Sequence, residues 1–297
     1  MKRFLFSFVL FLTGGCAADV SDTPVLFFPN MVKQGDFAFG FATPESDVTM
    51  NGEKIDQRND GWFAFAVGRD EQGILDFKAV KNGRTAQRRL TIAPVAWRVQ
   101  KIDGLPQNTV TPDETESKRI ADDFEQTRKA REKRVSEQTP LCFERPARGR
   151  ISSVYGSQRV LNGVEKAPHN ALDIANAAGT PIVAPAAGVV LLAHDDMFLS
   201  GKTVLIGHGQ DVATSYIHLS EISVKTGEKI EKGRQIGKMG MTGRATGPHL
   251  HWVVTWKNKR VNPQSLLDNS AVFCLPEETA ENPVNRFENA EQQEGTP

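Results

Sequence analysis

The amino-acid sequence predicts a mainly β protein in which a helical connector joins two β regions. In the N-terminal region, large apolar residues alternate with small or polar ones, as in DFAFGFA and WFAFAVG, which is typical of half-buried strands. The C-terminal region contains four apolar runs bounded by turns: GVVLLAH, KTVLIGH, TSYIHLS and HLHWVVTW. These runs predict a mostly antiparallel sheet. The length of 297 residues is enough for about two domains.

The N-terminus has the pattern of an export signal, which we assign to residues 1–18. Two basic residues precede an apolar run that is too short to span a bilayer, because a spanning helix needs about 20 apolar residues. Two processing routes remain open. In one, Cys16 becomes a lipidated cysteine, although Thr13 stands where lipoprotein signals usually carry an aliphatic residue. In the other, cleavage after Ala18 removes Cys16. Both routes predict export to a periplasm, either as a soluble protein or as an outer-membrane lipoprotein.

The charge balance excludes a strongly basic nucleic-acid-binding protein. The 36 Lys and Arg residues equal the 36 Asp and Glu residues, so the formal net charge is zero. A neutral chain has no global field to draw it onto a polyanion, and we predict no nucleic-acid partner. Basic residues do cluster between Lys118 and Arg134, but acidic residues alternate with them. This mixture is typical of a solvated helix face.

Residues 24–100 are predicted to form a small β-sandwich-like module. Its short strands are separated by turn signals, among them Asn51-Gly52 and Asn82-Gly83, which are dipeptides favoured in tight hairpins. The module contains no histidine and no cluster of catalytic residue types. We interpret it as a spacer or a binding module.

Residues 111–139 are predicted to form the connector helix. Thr111 supplies a cap, Pro112 a first-turn proline and Glu114 the capping-box carboxylate, and Pro140 ends the helix. The apolar face of this helix is thin, so we expect it to lie on its neighbours rather than enter a core.

Residues 140–275 form the predicted C-terminal domain, and residues 276–297 a polar, disordered tail. Cys142 and Cys274 stand near the two ends of that domain. In an exported protein they are expected to form a disulfide that closes the domain, the alternative being two separate buried thiols.

All six histidines lie in this C-terminal region, and two of them are two residues apart in HLHW. On a strand, His249 and His251 share one face while Leu250 points to the other. A single strand histidine is usually structural, but two imidazoles on one face make a poor core because each needs polar partners. The pair therefore indicates a metal or catalytic site.

The stretch PHNALDIA adds an imidazole and a carboxylate, His169 and Asp173, both zinc-ligand types. On a straight strand they would be about 13 Å apart, whereas two ligands of one ion need donor atoms within about 4 Å. The chain must therefore bend between them, and Pro168 and Asn170 permit a bend. The alternative is an ordinary turn that leads into a strand.

The remaining histidines have weaker signals. His218 lies in the predicted strand TSYIHLS, with Tyr216 on its own face, and alone it would be interpreted as structural. His194 and His208 lack partners at metal-ligand spacing, so we interpret both as structural.

Taken together, these motifs resemble peptidase family M23, the lysostaphin-like and LytM-like zinc metallopeptidases. The resemblance rests on HxxxD, on a histidine within YxHLS and on GxxTGPHLHW, in that order, and it extends through GRISSVYGSQR and GTPIVAPAAGVV. It covers about Arg150 to Pro263, and the N-terminal region looks like that of proteobacterial members.

The resemblance implies a role for each of five residues. His169, Asp173 and His251 are expected to bind Zn²⁺, while His218 and His249 handle protons. The implied activity is that of a zinc endopeptidase that hydrolyses peptide cross-links of peptidoglycan, with the D-alanyl–diaminopimelate bond expected from the compartment alone.

Two qualifications accompany the resemblance. The family usually has glycine where this chain has Ala171, and a positive φ at that position would cost an alanine about 1 kcal/mol. The alternative function is that of a non-catalytic LytM-like activator of a cell-wall amidase. Such activators typically lack several of the five site residues, all of which this chain retains.

Overall fold

The computed structural model describes residues 23–133 and 135–274, and this part of the chain is mainly β, as predicted. The expected signal at 1–18 with its Cys16 and the expected tail at 276–297 lie outside the described residues. None of the helices in the described ranges combines the length and apolar character needed to cross a bilayer.

The N-terminal module consists of two sheets that pack face to face. Its strands are β1 (Leu26–Phe27), β2 (Met31–Lys33), β3 (Phe37–Ala42), β4 (Asp47–Met50), β5 (Glu53–Ile55), β6 (Trp62–Ala66), β7 (Ile74–Lys81) and β8 (Arg84–Ala93). One sheet has the order β1-β3-β6 and the other β2-β8-β7-β4-β5. Buried aromatic rings fill the space between the sheets: the Phe77 centroid lies 4.5 Å from that of Phe28 and 4.9 Å from that of Phe65. Asn51 and Asn82 adopt the positive φ values that the hairpin dipeptides predicted.

The connector comprises strand β9 (Val99–Ile102), a single helical turn α1 (Gln107–Val110) and helix α2 (Glu114–Arg131). The predicted helix bounds of 111–139 were too wide, and the predicted cap was wrong. Asp113, not Thr111, is the N-cap, and it forms a reciprocal capping box with Glu116. The Asp113 carboxylate accepts the Glu116 amide proton while the Glu116 carboxylate accepts that of Asp113.

The C-terminal region is built on one large sheet of mostly antiparallel strands. Its strands are β10 (Arg150–Ser153), β13 (Leu172–Ala175), β14 (Pro181–Val183), β15 (Gly188–Met197), β16 (Gly201–Gly209), β17 (Val212–Ile222), β18 (Lys229–Ile230), β19 (Gln235–Met239), β20 (His249–Trp256) and β21 (Lys259–Val261). The central order is β10-β13-β20-β17-β16-β15-β18. The four predicted apolar runs are strands β15, β16, β17 and β20.

A smaller sheet links the connector to this region. Strand β11 (Gln158–Leu161) pairs with β12 (Val164–Lys166) on one side and, in parallel, with β9 on the other. The connector is therefore hydrogen-bonded into the C-terminal region and does not hang free between two domains.

The end of the described chain contacts both β regions. Helix α3 (Pro263–Ser270) leads into a 3₁₀ turn, Ala271–Cys274, and Cys274 forms the predicted disulfide with Cys142. In this turn the Phe273 ring packs edge-on against Trp62 of the N-terminal module. The two β regions thus share a continuous apolar core.

Candidate metal centre and its surroundings

Strands β13 and β20 place the first elements of the site side by side. They are antiparallel neighbours in which Asp173 is directly opposite His251. Directly opposed residues lie on the same face of a sheet, so the carboxylate and the imidazole meet. His249, two residues earlier on β20, shares that face, while Leu250 and Trp252 are buried on the other.

His169 reaches the same face from the turn that precedes β13. Its backbone amide donates to the Ser157 carbonyl, and its carbonyl accepts from the Gly156 amide, at 2.8 and 2.7 Å. The predicted bend between His169 and Asp173 is therefore present. Ala171 is fully buried and is not among the described residues with positive φ, so the strain expected at this alanine is absent.

The three side chains converge on one point. Asp173 Oδ1 lies 3.0 Å from His169 Nε2 and 2.8 Å from His251 Nδ1, and these two nitrogens are 3.3 Å apart. One carboxylate oxygen and two imidazole nitrogens at such separations could hold a metal ion. Within the described residues, a second triad of potential ligands comprises His218, His249 and His251, and it shares His251 with the first.

Hydrogen bonds behind the converging atoms orient them. His169 Nδ1 lies 2.9 Å from the Val154 carbonyl oxygen. Because a carbonyl only accepts, Nδ1 carries the proton and Nε2 is left with a free lone pair. On the other side, the second oxygen of Asp173 accepts from the Arg159 guanidinium at 3.2 Å.

The electrostatics favour an ionised Asp173 carboxylate beside a neutral His251 imidazole. Burial alone would raise the pKa of Asp173, but the fields of His251 and His169 and their hydrogen bonds hold it well below the ordinary value. Burial lowers the pKa of His251 to about 4, although the Asp173 charge opposes this shift. A carboxylate anion beside neutral imidazoles is the protonation state that metal binding needs.

His218 enters the site through a β-bulge. Going from Val204 to Lys202 takes two steps along β16, but the partner segment of β17, from Tyr216 to Leu219, takes three. The extra residue is accommodated where His218 adopts a φ of 66°. The prediction that His218 shares a face with Tyr216 was therefore wrong, because the bulge breaks the alternation of β17.

The two residues point in opposite directions as a result. The Tyr216 hydroxyl meets Thr214 Oγ1 at 2.8 Å in the core. The His218 ring faces the site instead, with its centroid 4.9 Å from that of His249 and 5.8 Å from that of His251.

His218 and His249 have the same hydrogen-bonding pattern. His218 Nδ1 donates to the Thr242 carbonyl at 2.7 Å, and His249 Nδ1 donates to the Gly247 carbonyl at 2.8 Å. In the neutral ring, each Nε2 therefore keeps an unprotonated lone pair. Burial, reinforced by the fields of His251 and His249, lowers the pKa of His218 to about 3, so this ring is neutral at pH 7.

The structure places the other two histidines outside the cluster. His208 is fully buried, and its ring nitrogens contact the Ala187 carbonyl at 2.7 Å and Thr214 Oγ1 at 2.8 Å. His194 accepts a hydrogen bond from the Asp196 amide at 3.2 Å. Neither belongs to a metal-ligand group among the described residues.

Sequence reasoning missed the groups that orient the five side chains. Arg159 and Ser153 were given no role, and three carbonyl acceptors, those of Val154, Thr242 and Gly247, have no side-chain signature at all. The Arg159 signal was present within the stretch GRISSVYGSQR, but the residue type alone does not indicate which carboxylate an arginine contacts.

Comparisons with known proteins find relatives of the segment that contains these residues. The profile of Peptidase family M23 matches residues 167–263, which contain all five site residues. Peptidoglycan DD-endopeptidase ShyA of Vibrio cholerae is 44% identical over 115 residues, which are 38% of this chain and 26% of ShyA. Peptidoglycan DD-endopeptidase ShyC of the same organism is 38% identical over 130 residues, 43% of this chain and 28% of ShyC. The chain therefore matches only about a quarter of the length of these relatives.

A solved structure extends the likeness beyond the family segment. It is the crystal structure of a candidate peptidase M23 from Pseudomonas aeruginosa, with 28% sequence identity and a TM-score of 0.62. The match covers 80% of this chain and 95% of that chain, so it includes much of the N-terminal module and connector.

Proposed function

Residues 167–263 of the chain belong to peptidase family M23, and on this premise we propose that the protein is a zinc endopeptidase that cleaves peptide cross-links of peptidoglycan. The observation that carries the proposal is the convergence of His169, Asp173 and His251 beside two further imidazoles. Three protein ligands leave a fourth position of a tetrahedral ion open, which catalytic zinc sites require.

The donor set fits zinc. Tetrahedral zinc with bonds of about 2.1 Å needs donor atoms about 3.4 Å apart. The separations among the three donor atoms, 2.8, 3.0 and 3.3 Å, differ from this by about 0.6 Å at most. Nitrogen and carboxylate oxygen are usual zinc donors, and His169 has the carbonyl partner that commonly supports a zinc-bound imidazole. When bound, zinc supplies Lewis acidity that polarises a carbonyl and acidifies water to a pKa of about 7.

The remaining chemistry belongs to His218 and His249. Each has its Nδ1 proton committed to a backbone carbonyl, so each can receive a proton at Nε2. One imidazole can take the proton of the attacking water. An imidazolium can then donate to the developing oxyanion or to the leaving amine. Because the two carbonyls fix both rings in one tautomer, neither ring must reorient before it accepts the proton.

The substrate proposal draws on the relatives. ShyA and ShyC are named peptidoglycan DD-endopeptidases, and a relative from Neisseria meningitidis, 40% identical over 98 residues, is named DD-carboxypeptidase/endopeptidase Mpg. These names support a D,D-peptide bond, and we propose the D-alanyl–diaminopimelate cross-link. The export signal predicted at 1–18 agrees with a substrate outside the cytoplasm.

The test is digestion of purified peptidoglycan by the mature protein, with and without a metal chelator, followed by mass analysis of the fragments. We expect cross-linked dimers to be converted to monomers, and the chelator to stop the conversion. Separation of stem peptides from the glycan, or an unchanged product pattern with chelator, would contradict the proposal. A protein that cleaves nothing but accelerates an added amidase would support the activator alternative.

A further inference from the structure

Two arginines from different elements are linked to the candidate metal centre, one by direct contact and one through its neighbour in the chain. Arg159, on β11, donates from Nη2 to the outer oxygen of Asp173 at 3.2 Å. Arg244 lies in the loop between β19 and β20, two residues after Thr242, whose carbonyl accepts the His218 ring proton. Arg159 therefore contacts a proposed metal ligand, and Arg244 lies within the electrostatic field of Arg159.

Both guanidinium groups keep donors without partners. A guanidinium carries five N–H donors in a planar fork. Arg159 uses only Nη2, towards Ser153 and Asp173, and its buried Nε has no partner among the described residues. Among the residues that the structure describes, Arg244 donates only from Nη1, to the Thr109 carbonyl at 2.7 Å. Both side chains are partly exposed, so a ligand can approach the exposed part of each guanidinium, although not the buried Nε of Arg159.

The two arginines have one carboxylate partner between them among the described residues, Asp173, which pairs with Arg159. No described carboxylate forms an ion pair with Arg244. Burial lowers the pKa of Arg244, and the neighbouring charge of Arg159 lowers it further. The one carboxylate that Arg159 contacts, Asp173, also lies 3.0 Å from a ring nitrogen of His169 and 2.8 Å from one of His251. The pair therefore leaves excess positive charge beside the cluster, which favours an anion.

The loop that carries Arg244 is held firmly. The Arg244 amide donates to the Leu199 carbonyl at 2.9 Å. Gly243 has a φ of +72°, and a Cβ at this position would lie 2.5 Å from the Gly201 amide nitrogen. Only glycine allows this close approach, so the backbone that presents Arg244 is fixed before a ligand arrives.

We propose that Arg159 and Arg244 form a carboxylate-binding subsite for the cross-link. The inference rests on the proposed function. In a D-alanyl–diaminopimelate cross-link, the carbon that bears the scissile nitrogen also bears a free carboxylate. A substrate placed with its scissile bond at the cluster therefore brings an anion within reach of the guanidiniums, whose planar forks suit a carboxylate. The subsite would distinguish a free carboxylate from an amidated one.

The test compares two synthetic cross-linked dimers that differ only at this group, carboxylate in one and carboxamide in the other. We expect the wild type to favour the carboxylate dimer in kcat/KM on the order of 10–100-fold, the usual scale of a charged hydrogen bond. Arg244→Gln should lower the ratio several-fold, since only Arg159 would remain, whereas Arg244→Lys should keep more of it. Arg89→Gln, an exposed position in the N-terminal module, is the matched control and should behave as the wild type.

Binding of the product peptide, measured by calorimetry with its carboxylate free or amidated, gives a readout independent of turnover. We expect the wild type to bind the free form more tightly and Arg244→Gln to show a smaller difference. A wild type that cleaves neither dimer would overturn the proposed function itself. A wild type that cleaves both, with the same ratio in Arg244→Gln, would overturn the subsite alone. If amidation of the peptide's C-terminal carboxylate changed the rate, while amidation of the carboxylate next to the scissile nitrogen did not, the proposed subsite would also be overturned.

Discussion

At the scale of single residues, three of the site histidines are held through Nδ1 by a backbone carbonyl and differ in what the ring faces. His169 is oriented by the Val154 carbonyl so that Nε2 faces Asp173. His218 and His249 are likewise held through Nδ1, but their rings group with each other rather than with the carboxylate. This division of one cluster into two roles leads to a prediction for each role.

We expect His251→Ala to abolish both zinc binding and turnover, because it removes one of three proposed ligands. His218→Ala and His249→Ala should keep close to one zinc per chain, since the three ligands remain. Their rates should fall by a factor on the order of 10²–10⁴, the usual loss when acid–base help is removed. The measurement is zinc content by elemental analysis together with the initial rate on purified peptidoglycan.

His194→Ala serves as a control for removal of an imidazole outside the cluster, and it should retain both zinc and rate. If His249→Ala lost zinc while His251→Ala kept it, the assignment within HLH would be reversed. A fully active His218→Ala variant would return that residue to a structural role.

His208 makes a separate prediction about stability. Burial lowers its pKa to about 4, against about 6.5 in an unfolded chain. Between these values the unfolded state binds more protons, so stability is lost as pH falls. The free energy of unfolding should therefore fall by about 2–3 kcal/mol between pH 7 and pH 4.5 on account of this one group. Urea unfolding at the two pH values measures it.

The His208→Gln variant isolates this contribution. It should be less stable than the wild type at pH 7, because a buried ring with two partners is lost, but its stability should fall less steeply as the pH is lowered. A variant with the same slope as the wild type would show that other groups cause the acid sensitivity.

The positions of some of these side chains could be predicted from the sequence, and those of others could not. The same-face arrangement of His249 and His251 follows from the two-residue period of a strand, so it could be predicted. The face on which His218 lies could not be predicted, because one extra residue in β17 reverses the alternation and no local sequence motif indicates it. Partners that are backbone carbonyls carry no residue-type signal.

At the scale of elements, helix α2 shows how one residue sets a boundary. Both Thr111 and Asp113 are good N-caps by residue type, and sequence reasoning chose the wrong one. In the structure Glu116 completes the reciprocal box with Asp113, although Glu114 stands at the same spacing from Thr111. The helix also ends at Arg131, well before Pro140, so that proline does not end it.

We expect Asp113→Ala to destabilise α2 by about 1 kcal/mol, the usual cost of losing a cap. The helix contacts the C-terminal sheet at few points, one being the Phe198 amide, which donates to Asp123 at 2.7 Å. Loss of the cap should therefore appear as faster amide exchange within α2 rather than as a lower global stability. Lys118→Ala, exposed and away from the cap, should leave the exchange unchanged. Equal effects of the two substitutions would contradict the capping role.

The pairing of the connector with the C-terminal region was beyond sequence reasoning. Strands β9 and β11 are parallel neighbours although more than fifty residues separate them in the chain. Short strands carry little information about distant partners, since the same alternation fits many registers. The pairing has a consequence for the site, because Gln100 on β9 accepts a hydrogen bond from Ser153, which in turn contacts His169 Nδ1 at 3.0 Å.

At the scale of the whole molecule, the N-terminal module packs directly on the end of the C-terminal region. The Phe37 amide donates to Ser265 Oγ at 2.8 Å, and Asn269 donates to the Phe37 carbonyl at 2.7 Å. Helix α3 therefore bridges the two regions. The interpretation of the module as a spacer missed this contact, because the residues that make it look in the sequence like an ordinary strand and an ordinary helix.

The disulfide stands at this junction. Cys142 and Cys274 are separated by 132 residues, and the turn that carries Cys274 also holds Phe273 against Trp62 and Phe39. The cysteines could be predicted to pair from their positions and from the compartment. That the bond also secures a contact between the two regions depends on packing, which the spacing of cysteines does not reveal.

We expect a Cys142→Ala and Cys274→Ala double variant to lose global stability, by up to about 5 kcal/mol in the loop-entropy model. The loss should include weaker packing of Phe273 on the N-terminal module, because the turn is no longer tied to the sheet. Urea unfolding of oxidised wild type, reduced wild type and the double variant gives the magnitude. Reduced wild type should match the double variant, which separates loss of the bond from loss of the cysteine side chains.

Amide exchange near Trp62 should become faster in the reduced wild type and in the double variant. Two freely alkylated thiols in unfolded, unreduced protein from its native compartment would contradict the bond, and an unchanged unfolding midpoint would show that the junction holds without it.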